Sequence, residues 1–102
     1  MVFIQRGSTS LNTFEVPVDK TVIEDIIITY SQNDSIVFTK DKSDCEIGDY
    51  YVKTKLTQEE TLMLSDASPV QIQLKIQTGD EDVIVSEEIV ISVKKCLNDE
   101  VM

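Results

Sequence analysis

Hydrophobic and polar residues alternate with a period of two along much of the C-terminal half of the chain. In VQIQLKIQ, residues 70–77, Val, Ile and Leu occupy the even positions, while Gln and Lys occupy the odd positions. This alternation is typical of a strand with one buried and one solvated face. After the turn TGDED, the pattern predicts a second, antiparallel strand. Its core-facing positions are predicted to be Val83, Val85, Ile89, Ile91 and Val93.

The N-terminal half predicts further strands with a less regular pattern. The β-branched run at residues 26–29 is compatible with a strand buried on both faces, and SIVFTK after the turn signal QNDS completes a second predicted hairpin. YYVKTKL, residues 50–56, alternates again, and DKSDCEIGD before it is predicted to be a polar loop. VFIQ and NTFEVPV near the start are predicted to be short edge strands, because Pro17 cannot donate to a central ladder.

The segment LTQEETLML interrupts the strand pattern and predicts a helix. Thr57 is placed to cap it, and Glu60 is placed to accept from the Thr57 amide, which is the capping-box pattern. We expect one short helical element near residues 57–63. About seven strands with this one helical connection predict an all-β fold, an immunoglobulin-like antiparallel β-sandwich. The length of 102 residues suits one domain, predicted over residues 1–97 with a short tail at 98–102.

Charge narrows the classes of partner. Nine Lys and Arg residues oppose nineteen Asp and Glu residues, which gives a net charge of −10. Such a chain repels phosphate backbones and anionic lipid surfaces, so we expect no nucleic-acid and no membrane partner. The sequence also lacks an apolar run of the roughly 20 residues that span a bilayer, and its first residues do not resemble a signal peptide.

Reactive chemistry is sparse. The chain has no histidine, which removes the commonest general base and the usual Cys and His zinc sites. Cys45 lies between Asp44 and Glu46, whose charges are expected to raise its pKa and make the thiol less reactive. We therefore predict a protein that is not an enzyme and has no cofactor. Cys45 and Cys96 are predicted to be free thiols, with a disulfide as the alternative.

Two acidic segments leave a metal site open as a lesser alternative. DKSDCEIGD and DED, residues 80–82, carry carboxylates that are able to bind Ca²⁺ if the two loops converge. The first segment departs from the EF-hand pattern, because Cys45 and Glu46 occupy positions that require an oxygen ligand and a glycine. We favour solubilising charge and predict no metal site.

The segments RGST, LTQEETLML, VQIQLKI, TGDEDVIVSEEI and VKKCLNDEV together resemble a group of small proteins encoded by phages and prophages of Gram-positive gut bacteria. The resemblance spans essentially the whole chain, and LTQEET followed by the Gln-rich strand is its most specific part. It implies a non-catalytic accessory component of a capsid, tail or baseplate with an immunoglobulin-like sandwich. It also implies a virion location after assembly in the host cytoplasm, with other virion proteins or a second copy as partners.

Two surfaces are candidate interfaces. The solvated side of the best strand carries Gln71, Gln73, Lys75 and Gln77, which are able to hydrogen-bond a partner, although an ordinary exposed sheet face has the same pattern. Near the start, Val2 and Ile4 either complete the chain's own sheet, which we favour, or pair with a neighbour.

The alternative function is a monovalent binding or adhesin module that recognises a host ligand or glycan through its end loops. Tyr30, Tyr50 and Tyr51 are candidate anchors for such a ligand, although alternation places one of the last two in the core.

Overall fold

Two β-sheets pack face to face. The computed structural model describes residues 3–79, 82–86, 88–95, 97 and 101. In these residues the strands are β1 (Phe3–Gln5), β2 (Leu11–Glu15), β3 (Ile23–Gln32), β4 (Ser35–Asp41), β5 (Cys45–Gly48), β6 (Tyr51–Lys55), β7 (Val70–Thr78), β8 (Val83–Val85) and β9 (Ile89–Lys94). The helix α1 (Gln58–Leu62) connects β6 to β7, and 3-10 turns lie at Lys20–Val22 and Lys42–Asp44.

The predicted fold class, an immunoglobulin-like sandwich, is confirmed, and the structure adds the strand order, which the sequence did not predict. The larger sheet runs β1-β9-β7-β3-β4, with β8 also paired to β7, and the smaller sheet runs β2-β6-β5. The smaller sheet matches the B, E and D positions of the fold, and β4, β3, β7 and β9 match C′, C, F and G. The paired strands are antiparallel except β1 and β9, which run parallel at the edge of the larger sheet.

The core lies between the sheets and is centred on β3 and β7, where Ile28 pairs with Leu74. Its buried hydrophobic residues are Ile4, Phe14, Val16, Ile23, Ile26, Ile28, Tyr30, Val52, Leu56, Leu64, Val70, Ile72, Leu74, Ile76, Ile91 and Val93. The Tyr30 ring stacks on Phe38 with centroids 4.7 Å apart. Its hydroxyl donates to Asn12 Oδ1 at 2.6 Å, which ties β3 to β2 across the core. Burial raises the pKa of Tyr30, so this hydroxyl remains a donor.

The predicted capping box is confirmed at the start of α1. The Glu60 amide donates to Thr57 Oγ1 at 3.1 Å, and Glu60 Oε1 accepts from the Thr57 amide at 2.8 Å. The same Glu60 oxygen lies 2.6 Å from Lys40 Nζ, and Lys40 is buried on β4. One carboxylate therefore both caps the helix and neutralises a buried ammonium group.

The segment after β1 holds the other end of this connection. Arg6 Nε donates to the Leu64 carbonyl at 2.8 Å, and the Gly7 amide donates to Thr61 Oγ1 at 3.0 Å. Thr61 is fully buried, and Arg6 also donates to the Leu62 carbonyl. These bonds satisfy carbonyl groups at the helix C-terminus, which the helix itself leaves unpaired.

The prediction that Val83 and Val85 face the core is wrong. Both side chains are exposed, and Ile84 between them pairs with the buried Ile76. The pairing of β7 with β8 is offset by one residue from its pairing with β9, and a one-residue offset reverses which side chains face inward. Ser86 lies at the junction, where it bonds both the amide and the carbonyl of Leu74.

Two other expectations are corrected in β3 and in the predicted polar loop. Ile27 is 42% exposed rather than buried on a two-sided strand, because the larger sheet packs against the smaller on one side only. The polar loop contains a 3-10 turn and the short strand β5, whose Cys45 and Ile47 are half-buried against the core. With β5 present and with β8 separate from β9, the described residues form nine strands rather than about seven.

Candidate functional site

The solvent-facing side of the larger sheet, here called the outer face, carries the interface residues predicted on β7. Gln73, Lys75 and Gln77 are exposed there, and Gln71 is half-buried. The Gln73 amide group donates to the Ser86 carbonyl at 3.0 Å, which fixes one member of the row. The structure therefore keeps the row together on one surface.

Aliphatic side chains flank this row, one of them on the β3 side and three on the side of β8 and β9. Strand pairing places Lys75 between Ile27 of β3 and Val85 of β8, and it places Gln77 beside Val83. Val90 of β9 lies beside Gln71 at the other end of the row. All four aliphatic residues are at least 42% exposed. Exposed aliphatic side chains that surround hydrogen-bonding side chains are typical of a contact surface. Single exposed aliphatic residues that are scattered over a protein do not indicate one.

Sequence reasoning did not assign these aliphatic residues to the outer face. It placed Ile27, Val83 and Val85 inside, because they follow a β-branched run or an unbroken alternation. Val83 and Val85 face outward because of the one-residue offset at Ser86, and Ile27 faces outward because only one side of the larger sheet is covered. The clearest sequence signal for this surface is the Gln-rich strand itself.

The N-terminal candidates lie elsewhere. Ile4 pairs with Val93 in β9 and is fully buried, so its side chain contributes to the chain's own core. The favoured interpretation, in which this segment completes its own sheet, agrees with that pairing. Val2 lies outside the described residues.

A groove of about 690 Å³ separates β2 from β9. Its lining residues are Leu11, Asn12, Thr13, Phe14, Glu15, Ile89, Val90, Ile91 and Ser92. Phe14 and Ile91 are buried, whereas Leu11 and Val90 are more than 60% exposed. The groove is thus apolar in its interior and open to solvent between two strand edges. The sequence pattern did not indicate it, because the groove arises from the placement of β1 on the larger sheet.

Cys45 is a free, half-buried thiol. Its Sγ donates to the Asp41 carbonyl, and burial, assisted by the charges of Asp44 and Asp41, raises the pKa of the thiol. This is the direction predicted, with burial as the larger cause. Cys96 lies outside the described residues.

Two acidic residues of the first loop bond to the loop's own backbone. Asp41 accepts from the Ser43 amide, and Asp44 accepts from the Asp41 amide, so together they cap the 3-10 turn. Within the described ranges no group of three or more Cys, Asp or Glu side chains is arranged to hold a metal ion. Asp80 and Glu81, which belong to the second acidic segment, lie outside those ranges.

Tyr50 has an unusual backbone in the turn before β6. Its φ is +66° and its side chain is 58% exposed, whereas Tyr51 is half-buried beside Lys53. The expectation that one of this pair is a core residue is wrong, because β6 begins at Tyr51 and its inward positions begin at Val52. A bulky residue at positive φ is strained, so the turn presents an exposed ring at a cost in stability.

Replacing Tyr50 with asparagine is expected to raise the free energy of unfolding by about 0.5 kcal/mol, because asparagine tolerates positive φ. Tyr50→Ala is the matched control, since it removes the same ring without relieving the backbone. Urea unfolding of both variants measures the difference. Equal stability of the asparagine and alanine variants would show that the positive φ is not strained.

Comparison with known proteins adds no relative. Neither protein-family models nor curated proteins nor solved structures give a match to this chain. Among the described residues, no helix has the length and apolar character needed to cross a membrane.

Proposed function

We propose that this chain is a non-catalytic accessory protein of a phage virion that acts through protein–protein contacts made by its outer face. The observation that carries the proposal is the aligned set of exposed aliphatic side chains on both flanks of the Gln71–Gln77 row. The resemblance of the whole chain to phage accessory proteins supports the virion as the location, after assembly in the host cytoplasm. The absence of histidine from the sequence supports a structural rather than a catalytic role.

The outer face has the composition expected of a contact surface. Ile27, Val83, Val85 and Val90 supply apolar area, and the glutamines supply hydrogen bonds without the desolvation cost of paired charges. Lys75 is the cation in the centre of the row, between two of the aliphatic residues. A partner that covers this face therefore has an apolar surface with hydrogen-bonding groups in its middle.

Val85→Lys is expected to reduce incorporation into virions by about tenfold or more, because it places a charge where the partner's apolar surface packs. The assay purifies particles on a density gradient from host cells that carry the encoding phage, and it measures the copy number of this chain per particle. Val85→Thr is the matched control, since it keeps the shape without adding charge, and we expect it to be retained.

Two results contradict the proposal. The virion role is ruled out if the wild-type chain is found only in the soluble fraction and is absent from purified particles. Equal copy numbers for Val85→Lys and Val85→Thr rule out the outer face as the contact surface.

The second candidate function is a binding module that recognises a host ligand or glycan through its end loops. The observation that favours it is the exposed ring of Tyr50 on a strained backbone, since residues with strained backbones concentrate at ligand-binding sites. Tyr50→Ala separates the two functions. It leaves incorporation unchanged if the outer face makes the contact, and it removes the stabilisation by a host glycan if the end loops do.

A further inference from the structure

The outer edge of β2 has unused backbone groups. On its other side β2 pairs with β6 along its whole length, and bonds from Leu56 to Ser10 and from Val16 to Tyr50 show that even-numbered residues face β6. In an antiparallel pair the alternate residues point the opposite way. The N–H and C=O groups of Leu11, Thr13 and Glu15 therefore point into the groove, and no strand of the described residues pairs with them.

The opposite wall of the groove is also an unfilled strand edge. β9 pairs with β7 along residues 89–91, and the pairing of β1 with β9 that the described residues show begins at Ser92. The side of β9 that precedes Ser92 thus has no neighbouring strand among the described residues. Between the two edges, Phe14 and Ile91 form an apolar floor.

The edges at β4, β1 and β5 are protected against strand addition, whereas the β2 edge is not. β4 has a bulge, because Tyr30 pairs with Phe38 whereas the next residue, Ser31, pairs with Ile36. The same strand also carries the inward-facing charge of Lys40. In the described part of the chain, strands β1 and β5 contain three and four residues. Bulges, inward charges and short strands are the devices that block edge pairing. β2 has five residues in unbroken register and contains neither lysine nor proline.

Charge selects the occupant of this edge. The nine residues that line the groove include one carboxylate, Glu15, and no cation, while Lys53 and Lys55 lie one strand away, on β6. The whole chain carries a net charge of −10, so a second copy approaching this edge meets like charge, whereas a basic segment is attracted.

We propose that the β2 edge, residues 11–15, binds an extended basic segment of a partner protein as an added fourth strand of the smaller sheet. Main-chain bonds to Leu11, Thr13 and Glu15 hold the added strand, and its alternate apolar side chains enter the groove towards Phe14 and Ile91. The added strand occupies the position beside B that completes the four-stranded sheet of the constant-type sandwich. The inference deepens the proposed function by naming a second contact and its partner chemistry, and it rests on that function being protein–protein assembly.

The test uses the full chain and a synthetic nine-residue peptide that alternates lysine with valine. Amide NMR shifts map the contact, and fluorescence anisotropy of the labelled peptide measures affinity. We expect shifts at Leu11, Thr13 and Glu15, and binding that weakens as salt rises. A peptide with glutamate in place of lysine is expected to bind at least about tenfold more weakly.

Thr13→Pro is the decisive variant. Proline removes an N–H group that β6 does not use, so it blocks the added strand while leaving the ladder with β6 intact. It is expected to weaken peptide binding by about tenfold or more, while Thr13→Ala keeps the N–H group and the affinity. If Thr13→Pro fails to fold, Leu11→Lys places a repelling cation on the exposed β2 edge itself, with Leu11→Thr as its control.

Four results overturn the inference. They are the absence of peptide binding at low salt, equal affinity for Thr13→Pro and Thr13→Ala, shifts confined to the outer face, and a dimer in light scattering that Thr13→Pro disrupts. The last result assigns the edge to a second copy instead. If the amide shifts caused by the peptide are confined to Gln73 and Lys75, only the β2 contact is ruled out and the proposed function is unaffected. If incorporation into virions does not depend on the residue at position 85, the outer-face proposal is ruled out and the peptide result is unaffected.

Discussion

Replacing Glu60 with glutamine is expected to lower the free energy of unfolding by about 3 kcal/mol at pH 7. Glutamine still accepts from the Thr57 amide, so the helix cap survives and only the charge is lost. Lys40 then remains buried without the carboxylate that lies 2.6 Å from its ammonium nitrogen. An unpaired buried charge is far more costly than the loss of one surface ion pair.

The effect of Glu60→Gln depends on pH. Burial acts to raise the pKa of Glu60, but the bonds from Lys40 and Thr57 outweigh it and leave that pKa below its ordinary value of 4.5. Because the pKa is lower in the folded state, the carboxylate contributes its full stability above the ordinary value and loses it as the pH falls through the folded value. The difference between wild type and variant is therefore expected to be largest near neutral pH and to shrink at an acidic pH, below the ordinary value of 4.5.

Urea unfolding at both pH values measures this difference, and Lys40→Met supplies the control. Removing the lysine charge leaves Glu60, which is partly exposed and still bonded to Thr57, so a smaller loss of about 1 kcal/mol is expected. The double variant Lys40→Met with Glu60→Gln is expected to recover most of the loss. If Glu60→Gln is no less stable than Lys40→Met, the ion pair does not stabilise the helix connection as described.

Tyr30→Phe is expected to lower the free energy of unfolding by about 2 kcal/mol. The variant keeps the ring that stacks on Phe38 and removes only the hydroxyl that donates to Asn12 Oδ1. Both residues are buried, so the variant leaves the Asn12 side-chain carbonyl without the donor that it has in the core. The change acts on β2, because this bond holds that strand against β3.

Chemical denaturation measures the loss, and the double variant Tyr30→Phe with Asn12→Leu tests its cause. Replacing both partners with apolar groups of similar shape removes the unpaired carbonyl, so most of the stability is expected to return. Additive losses in the double variant would show that packing, rather than the buried hydrogen bond, sets the cost.

Local patterns in the sequence predicted the parts of the fold that depend on near neighbours. The capping box of Thr57 and Glu60 was predicted because both partners lie within one helical turn. The strand β7 was predicted because its alternation runs unbroken over eight residues. The turn at Asn33 and Asp34 was predicted because both residue types tolerate the positive φ that this tight hairpin requires.

The features that the sequence did not reveal depend on distant partners. The burial of Lys40 follows from Glu60 on another element, and nothing in SIVFTK indicates it. The exposure of Val83 and Val85 follows from one residue of offset at Ser86, which leaves the hydrophobic composition unchanged. The β2 groove follows from the parallel pairing of β1 with β9, which leaves the outer edge of β2 uncovered. The candidate contact surfaces were thus only partly predictable, through the Gln-rich row.

The pairing of β3 with β7 also sets how this chain reaches its fold. The hairpin of β3 and β4 closes around Asn33 and Asp34, and such hairpins form within microseconds. The other edge of β3 must await β7, because Ile28 pairs with Leu74 across the intervening strands and helix. Long-range pairing of this kind gives folding times of milliseconds to seconds. During that interval the hydrophobic edge of β3 is open to other nascent chains. Rapid synthesis at high concentration therefore favours aggregation over correct folding.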